Sequence, residues 1–242
     1  MWDFDYCYNA TVTGSLPPEG SLPPGGSTTQ PTQPTTEPPT GQPCLCVFDI
    51  DRTLTGKQGT AGNQCPGDKE VHIWDTAYGG GWLTLSGAGQ SLQQTFCDSC
   101  YLGVVSHGDA SGYGSPERDY LLSNVLLSQP FSQLSASTPE AKVWSWQEVV
   151  SPLVLGWPDK KKQFAVQDIV QWYAQKGISI PAQEVYFFGD RTENIPPFAG
   201  TGFNAREISC DSRDMSIHHG MVGKCGATKD AWRNNNYRYT YI

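Results

Sequence analysis

CLCVFDIDRTLT, residues 44–55, decides the fold. Its first half is an unbroken apolar run with no polar alternation, the pattern of a strand buried on both faces, as in a parallel sheet. Directly after Phe48 come two carboxylates at i and i+2, Asp49 and Asp51, and the chain turns away at Thr53. Carboxylates placed this way at a strand end can face one cleft. Working outward, residues 102–105 (LGVV) and 185–188 (VYFF) read as further buried strands, while 92–96, 116–127 with Pro116 at its start, and 163–175 read as helical. The stretch 143–150 fits either state. Strands alternating with helices at this spacing predict an α/β fold, a parallel sheet with helices on both faces. In such sheets ligands sit at the carboxyl ends of the strands, so the informative loops follow Phe48, Val105 and Phe188.

Those loops carry Asp49 to Thr55, then Ser106-His107-Gly108, then Gly189-Asp190-Arg191-Thr192-Glu193-Asn194. Asp49, Asp51 and Asp190 would make an oxygen-rich site of the kind that suits Mg²⁺, which keeps several waters and takes one or two carboxylates plus substrate phosphate. Of Lys160, Lys161 and Lys162, the last places Val166, Ile169 and Val170 at +4, +7 and +8, the buried face of the helix it opens.

VFDIDRTLT at residues 47–55 resembles the first motif of the haloacid-dehalogenase-like phosphatase superfamily, an apolar strand followed by DxDx[TV][LV]. Ser106 after a strand, a lysine opening a helix and GDRTEN at 189–194 stand in the order of that family's other motifs. The resemblance spans about residues 44–210 and implies a Rossmann-like fold, Mg²⁺ dependence and a covalent aspartyl-phosphate. It implies Asp49 as nucleophile and Asp51 as general acid and then base, an acid that phosphatases of the family have and its dehalogenases and ion pumps lack. It implies Ser106 as a phosphoryl-oxygen ligand and Lys162, with Lys161 second, as the cation opposing nucleophile and phosphate. Thr53, His107 and Gly108 would line the substrate with Lys161. Asp49, Asp51 and Asp190 would hold the metal, helped by Glu193 or Asn194, since Asn194 stands where an acid is common.

Twenty-four acidic against sixteen basic residues give a formal charge of −8, so there is no basic footprint for nucleic acid. No apolar run of about 18 residues is present, so no membrane-spanning helix is expected. Residues 14–43 hold nine prolines and a repeated GSLPP, and are expected to be a disordered Pro/Thr/Gly/Ser-rich linker. Ahead of it, residues 1–13 alternate aromatic and polar side chains and read as the severed end of an upstream module or as a tail. Residues 44–242 would then be the catalytic domain. Eight cysteines favour an oxidising compartment, extracellular or secretory, although no signal peptide is visible and a cytoplasmic site stays the alternative. A Cys210–Cys225 disulfide and buried thiols at Cys44 and Cys46 are expected, with a zinc site of Cys65, His72, Cys97 and Cys100 as a rival.

The Gly-rich insert 56–82 is too short for a full helical cap, which in that family leaves the cleft open to a bulky phosphoester, its outer part held by Trp74, Tyr78 and Trp82 or those rings simply packing. His218 and His219 read as solvated loop residues. The sequence thus predicts a Mg²⁺-dependent phosphomonoester hydrolase acting on a phosphorylated substrate. The alternative is a secreted binding or cell-surface protein using the same scaffold, tethered to an adhesion or carbohydrate-binding module.

Overall fold

The computed structural model describes residues 42–127, 139–209 and 212–228. The tail at 1–13, nearly all of the linker, Cys7 and Cys210 therefore lie outside the described residues. The core is a six-stranded parallel sheet, consistent with an α/β fold. In chain order its strands are β1 (Leu45–Phe48), β4 (Tyr101–Val105), β5 (Trp144–Trp146), β6 (Leu153–Leu155), β7 (Val185–Gly189) and β8 (Asn204–Glu207), arranged spatially as β5-β6-β4-β1-β7-β8. Two further strands, β2 (Lys69–Asp75) and β3 (Gly81–Leu85), form a separate antiparallel hairpin.

β1 occupies the middle of the sheet because all four of its residues are apolar and buried, and only a central strand covered on both faces satisfies such a run. Its neighbours are β4 and β7, with Phe48 opposite Val104 on one side and Phe188 on the other. The connections run to one side through β4 and β6 and to the other through β7 and β8, so the order reverses beside β1, where open α/β sheets leave a crevice. Helix α2 (Lys162–Gln175) packs its buried face, Val166, Ile169 and Tyr173, toward this sheet, and Tyr173 Oη donates to the Leu102 carbonyl at 2.7 Å. Helix α1 (Pro116–Tyr120) continues in a wider turn through Leu126 and is capped by Ser115, whose Oγ accepts from Arg118 N at 3.2 Å.

The sequence reading missed β6, β8 and the hairpin, and 143–150 resolves as β5. β6 is three residues long and carries no period of its own. The stretch at 92–96 is not an α-helix; two short 3₁₀ turns, Leu92–Gln94 and Phe96–Ser99, stand there.

Cysteine pairing corrects several expectations. Cys44 is bonded to Cys100 and Cys46 to Cys97, with Cα atoms 4.7 and 5.9 Å apart, so the two cysteines on one face of β1 are not thiols. Cys225 is bonded to Cys65, Cα atoms 5.1 Å apart, and not to Cys210. The reason is that the insert runs beside the C-terminal segment: Lys57 N donates to Lys224 O at 2.7 Å and Lys224 Nζ to Gln64 Oε1 at 2.9 Å. With Cys65, Cys97 and Cys100 all oxidised, the zinc site with His72 does not form. Three disulfides are compatible with an extracellular location, and no helix among the described residues is long and apolar enough to cross a membrane.

Candidate active site

Asp49 leaves the end of β1 with its backbone N–H still donating to the Phe188 carbonyl at 2.8 Å. Its Oδ1 accepts from Ile50 N at 2.9 Å, which starts the turn. Arg52 then takes a φ of 61°, and Thr55 closes the loop by donating from Oγ1 to the Ile50 carbonyl at 3.2 Å. The loop thereby sends Asp49 and Asp51 into one cavity of about 440 Å³, whose walls also include Ser106, Gly108, Asp159 and Asp190. Tyr78, His107, Arg191 and His218 stand around them. The loops after β1, β4 and β7 thus converge, as their sequence positions imply.

Lys162, first residue of α2, is 1% exposed, and its ammonium lies against Asp49 Oδ2. The same Nζ is 3.7 Å from Asp159 Oδ1. Of the three candidate lysines it alone touches carboxylates of the cavity wall: Lys161 is exposed, and Lys160 reaches out to Glu193 at 3.0 Å. Asp159, which sequence reasoning passed over, links four groups. It faces Arg191 at 3.0 Å and His107 at 3.5 Å, and accepts from Asn194 Nδ2 at 2.9 Å, besides Lys162. Burial alone would raise its pKa, but Lys162, Asn194, Arg191 and His107 together hold it below the usual carboxylate range.

The other carboxylates behave in the opposite way. Asp51 is pushed up to about 8, first by burial and then by the charges of Asp75, Asp49 and Asp190. Asp190 is pushed up to about 7 by burial and by Asp49, against the hydrogen bond its Oδ2 receives from Gly223 N at 2.9 Å. Gly108 lies close against the Asp51 carboxylate: a Cβ there would stand 2.9 Å from Asp51 Oδ2, which would have to move aside. Ser106, 1% exposed, sits with its Oγ toward the same pair of loops.

Besides the exposed Lys161, three predicted residues are placed elsewhere. Thr53 is fully buried behind the loop, outside the cavity wall. Glu193 is paired with Arg191 at 2.6 Å. Asn194 is buried, and its Oδ1 accepts from Lys160 N at 2.7 Å while its amide serves Asp159. Both side chains brace the loop after β7 against the start of α2.

The hairpin supplies what the motifs could not indicate. Asp75, at the end of β2, accepts from Ala77 N at 2.7 Å and from Gln58 Nε2 at 2.6 Å, which fixes the turn that hangs Tyr78 over the cavity. The Tyr78 ring lies 4.9 Å from the Arg52 guanidinium, a cation–π contact. Trp74 and Trp82 stay 56% and 45% exposed, edge to face with each other beyond the cavity wall. Asp75 and Glu117 of α1 stand beside Asp51, and one carboxylate oxygen from each of the three lies within 4.8 Å of the others, a group that could hold a metal ion. Nothing in the sequence marks Glu117, because a glutamate in the first turn of a helix is ordinarily a solvated partner of the helix dipole.

A carboxylate-rich cavity in which Asp51 and Asp190 retain their protons more strongly than free aspartates, with one buried ammonium against Asp49, offers the oxygen ligands that a hard divalent cation takes. No family model, no curated protein and no solved structure matches this chain.

Proposed function

We propose that the chain is a phosphomonoester hydrolase of the haloacid-dehalogenase-like type, with a Rossmann-like catalytic domain that works through Asp49. The observation that carries this reading is the pairing of Lys162 with Asp49 across 113 residues of sequence, at the meeting point of Asp51, Ser106 and Asp190. A structural ion pair has no need of three further polar groups from three separate strand ends, whereas phosphoryl transfer needs a nucleophile, a proton donor and a cation together.

In this reading a carboxylate oxygen of Asp49 attacks phosphorus, a new P–O bond forms, and the bond to the leaving oxygen breaks. Asp51 gives its proton to that oxygen; its raised proton affinity supports the role, because a donor must still hold its proton near neutral pH. Asp51 then takes a proton from water, whose oxygen attacks phosphorus and releases Asp49. The Ser106 hydroxyl donates to a phosphoryl oxygen, and Lys162 opposes the charge on Asp49 and phosphate. Mg²⁺ held by Asp49, Asp51 and Asp190 would neutralise phosphate charge when bound. Tyr78 overhangs the entrance, so a substrate with an extended or aromatic leaving group is favoured. The disulfides support an extracellular or secretory site of action.

The test is hydrolysis of an aryl phosphate by the full chain, with Mg²⁺ and with chelator, beside Asp49→Asn. Mg²⁺-dependent release of phosphate, absent in the variant, is expected. No turnover with any generic phosphomonoester would overturn the reading and favour a binding protein on the same scaffold.

A further inference from the structure

We infer that Asp51, Asp75 and Glu117 form a second site for a hard divalent cation, beside the strand-end group of Asp49 and Asp190 and sharing only Asp51 with it. It goes beyond the hydrolase reading and does not depend on it. Three features of the geometry carry it.

The first is convergence. The three acids come from three unconnected pieces of chain, the loop after β1, the end of β2 and the first turn of α1, and still bring one oxygen each within 4.8 Å. At this spacing the oxygens fit around one ion with ligand distances of about 2.0–2.6 Å.

The second is an oxygen without a partner. Glu117 is 0% exposed. Its Oε2 accepts from the Ser111 hydroxyl, while Oε1 is buried with no hydrogen-bond partner among the described residues. A buried carboxylate oxygen left unmatched is costly, and a cation between Glu117, Asp51 and Asp75 would satisfy it.

The third is that two of the three acids are held in place by hydrogen bonds from outside the cluster. Asp75 is held by Ala77 N and Gln58 Nε2, and Glu117 by Ser111, whose hydroxyl also accepts from Thr76 N at 3.0 Å next to Asp75. The hairpin and α1 are thereby tied together at this point. Ligands preset by surrounding hydrogen bonds are what a built cation site has and a solvated acidic patch lacks. Neither Asp49 nor Asp190 belongs to the group: the first is turned onto Lys162 and the second onto Gly223. Three carboxylates and no nitrogen or sulfur donor suit Mg²⁺, Ca²⁺ or the similarly hard Mn²⁺ rather than the softer transition metals.

Binding, not turnover, tests this. Calorimetric titration of chelator-treated full chain with MgCl₂, and separately with CaCl₂, should show a binding event that Glu117→Gln and Asp75→Asn each weaken at least tenfold and that Asp190→Asn leaves in place. The arm with the tighter event identifies the ion. Unchanged affinity and stoichiometry in both Glu117→Gln and Asp75→Asn would overturn the inference. A measurement on wild-type protein guards against misfolded variants: crystals soaked in MnCl₂ should give an anomalous peak bounded by the carboxylates of Asp51, Asp75 and Glu117. Crystals with no peak there, whether or not one stands near Asp49 and Asp190, would also overturn it. Because a strand-end cation would survive loss of this site, failure here leaves the hydrolase reading standing, and the converse holds.

Discussion

Lys162 holds Asp49 in a fully buried ion pair, the ammonium of the first residue of α2 lying on the carboxylate that ends β1. Desolvating both charges is expensive, and a pair of this kind is seldom retained for stability alone. Here it orients one oxygen of Asp49 while Ile50 N holds the other. The carboxylate is fixed in the cavity wall, which is the preparation a nucleophile requires.

Asp49→Asn should reduce phosphate release to below a few per cent of wild type while the fold persists, since Asp159 still lies 3.7 Å from the Lys162 ammonium and keeps it compensated. Steady-state assay beside a melting curve checks both halves. Substantial residual turnover with wild-type metal dependence would remove Asp49 from the nucleophile's role.

Asp51→Asn should slow both chemical steps by roughly 10²–10⁴, more severely for alkyl than for activated aryl leaving groups, because only the former need a proton. Rapid-quench detection of acid-stable phosphoenzyme reads the second step. Equal rates with a poor leaving group in variant and wild type would contradict the assignment.

Lys162→Met should be both inactive and unstable. It leaves the Asp49 carboxylate buried without its cation, a defect that generally costs about 3–5 kcal/mol. Denaturant titration measures it. A stability equal to wild type would mean that solvent reaches Asp49 freely.

Glu117 carries a pH signature. Burial, then the charge of Asp75, pushes its pKa up to about 8, against an ordinary value near 4.3. A raised folded-state value favours the neutral acid, so its stabilising contribution is complete below the ordinary value and is lost as pH rises through about 8. In chelator, wild-type protein should therefore melt at progressively lower temperature from about pH 5 to 8, and Glu117→Gln should flatten that slope and exceed wild type at pH 8. Parallel slopes would show that Glu117 is not confined as described.

The Cys44–Cys100 bond closes 56 residues of chain, worth about 4 kcal/mol in the chain-entropy model, and Cys46–Cys97 lies nested within it and adds less. Reduction should lower the melting temperature by several degrees. A melt unaffected by reductant, with all bonds verified as open, would show that the 3₁₀ turns hold β4 against β1 unaided.

The residues around Asp49 were legible because their chemistry is encoded locally. An apolar run must be buried, a carboxylate after it must emerge at the strand end, and helical spacing after Lys162 points that side chain inward. Strands that span three residues, such as β6, carry no such period and form only because β4 and β5 offer their edges. The partner of Cys225 was likewise invisible, since Cys210 at a separation of fifteen residues looks closer than Cys65 at 160, and only the path of the insert along the C-terminal segment reverses that order. Asp75 and Glu117 show the limit most plainly. Each is an ordinary acid in its own stretch of chain, and their convergence on Asp51 follows from how the hairpin packs on α1. Local sequence determines which groups leave water and in which direction they point, whereas proximity between distant segments is set by the packing of whole elements.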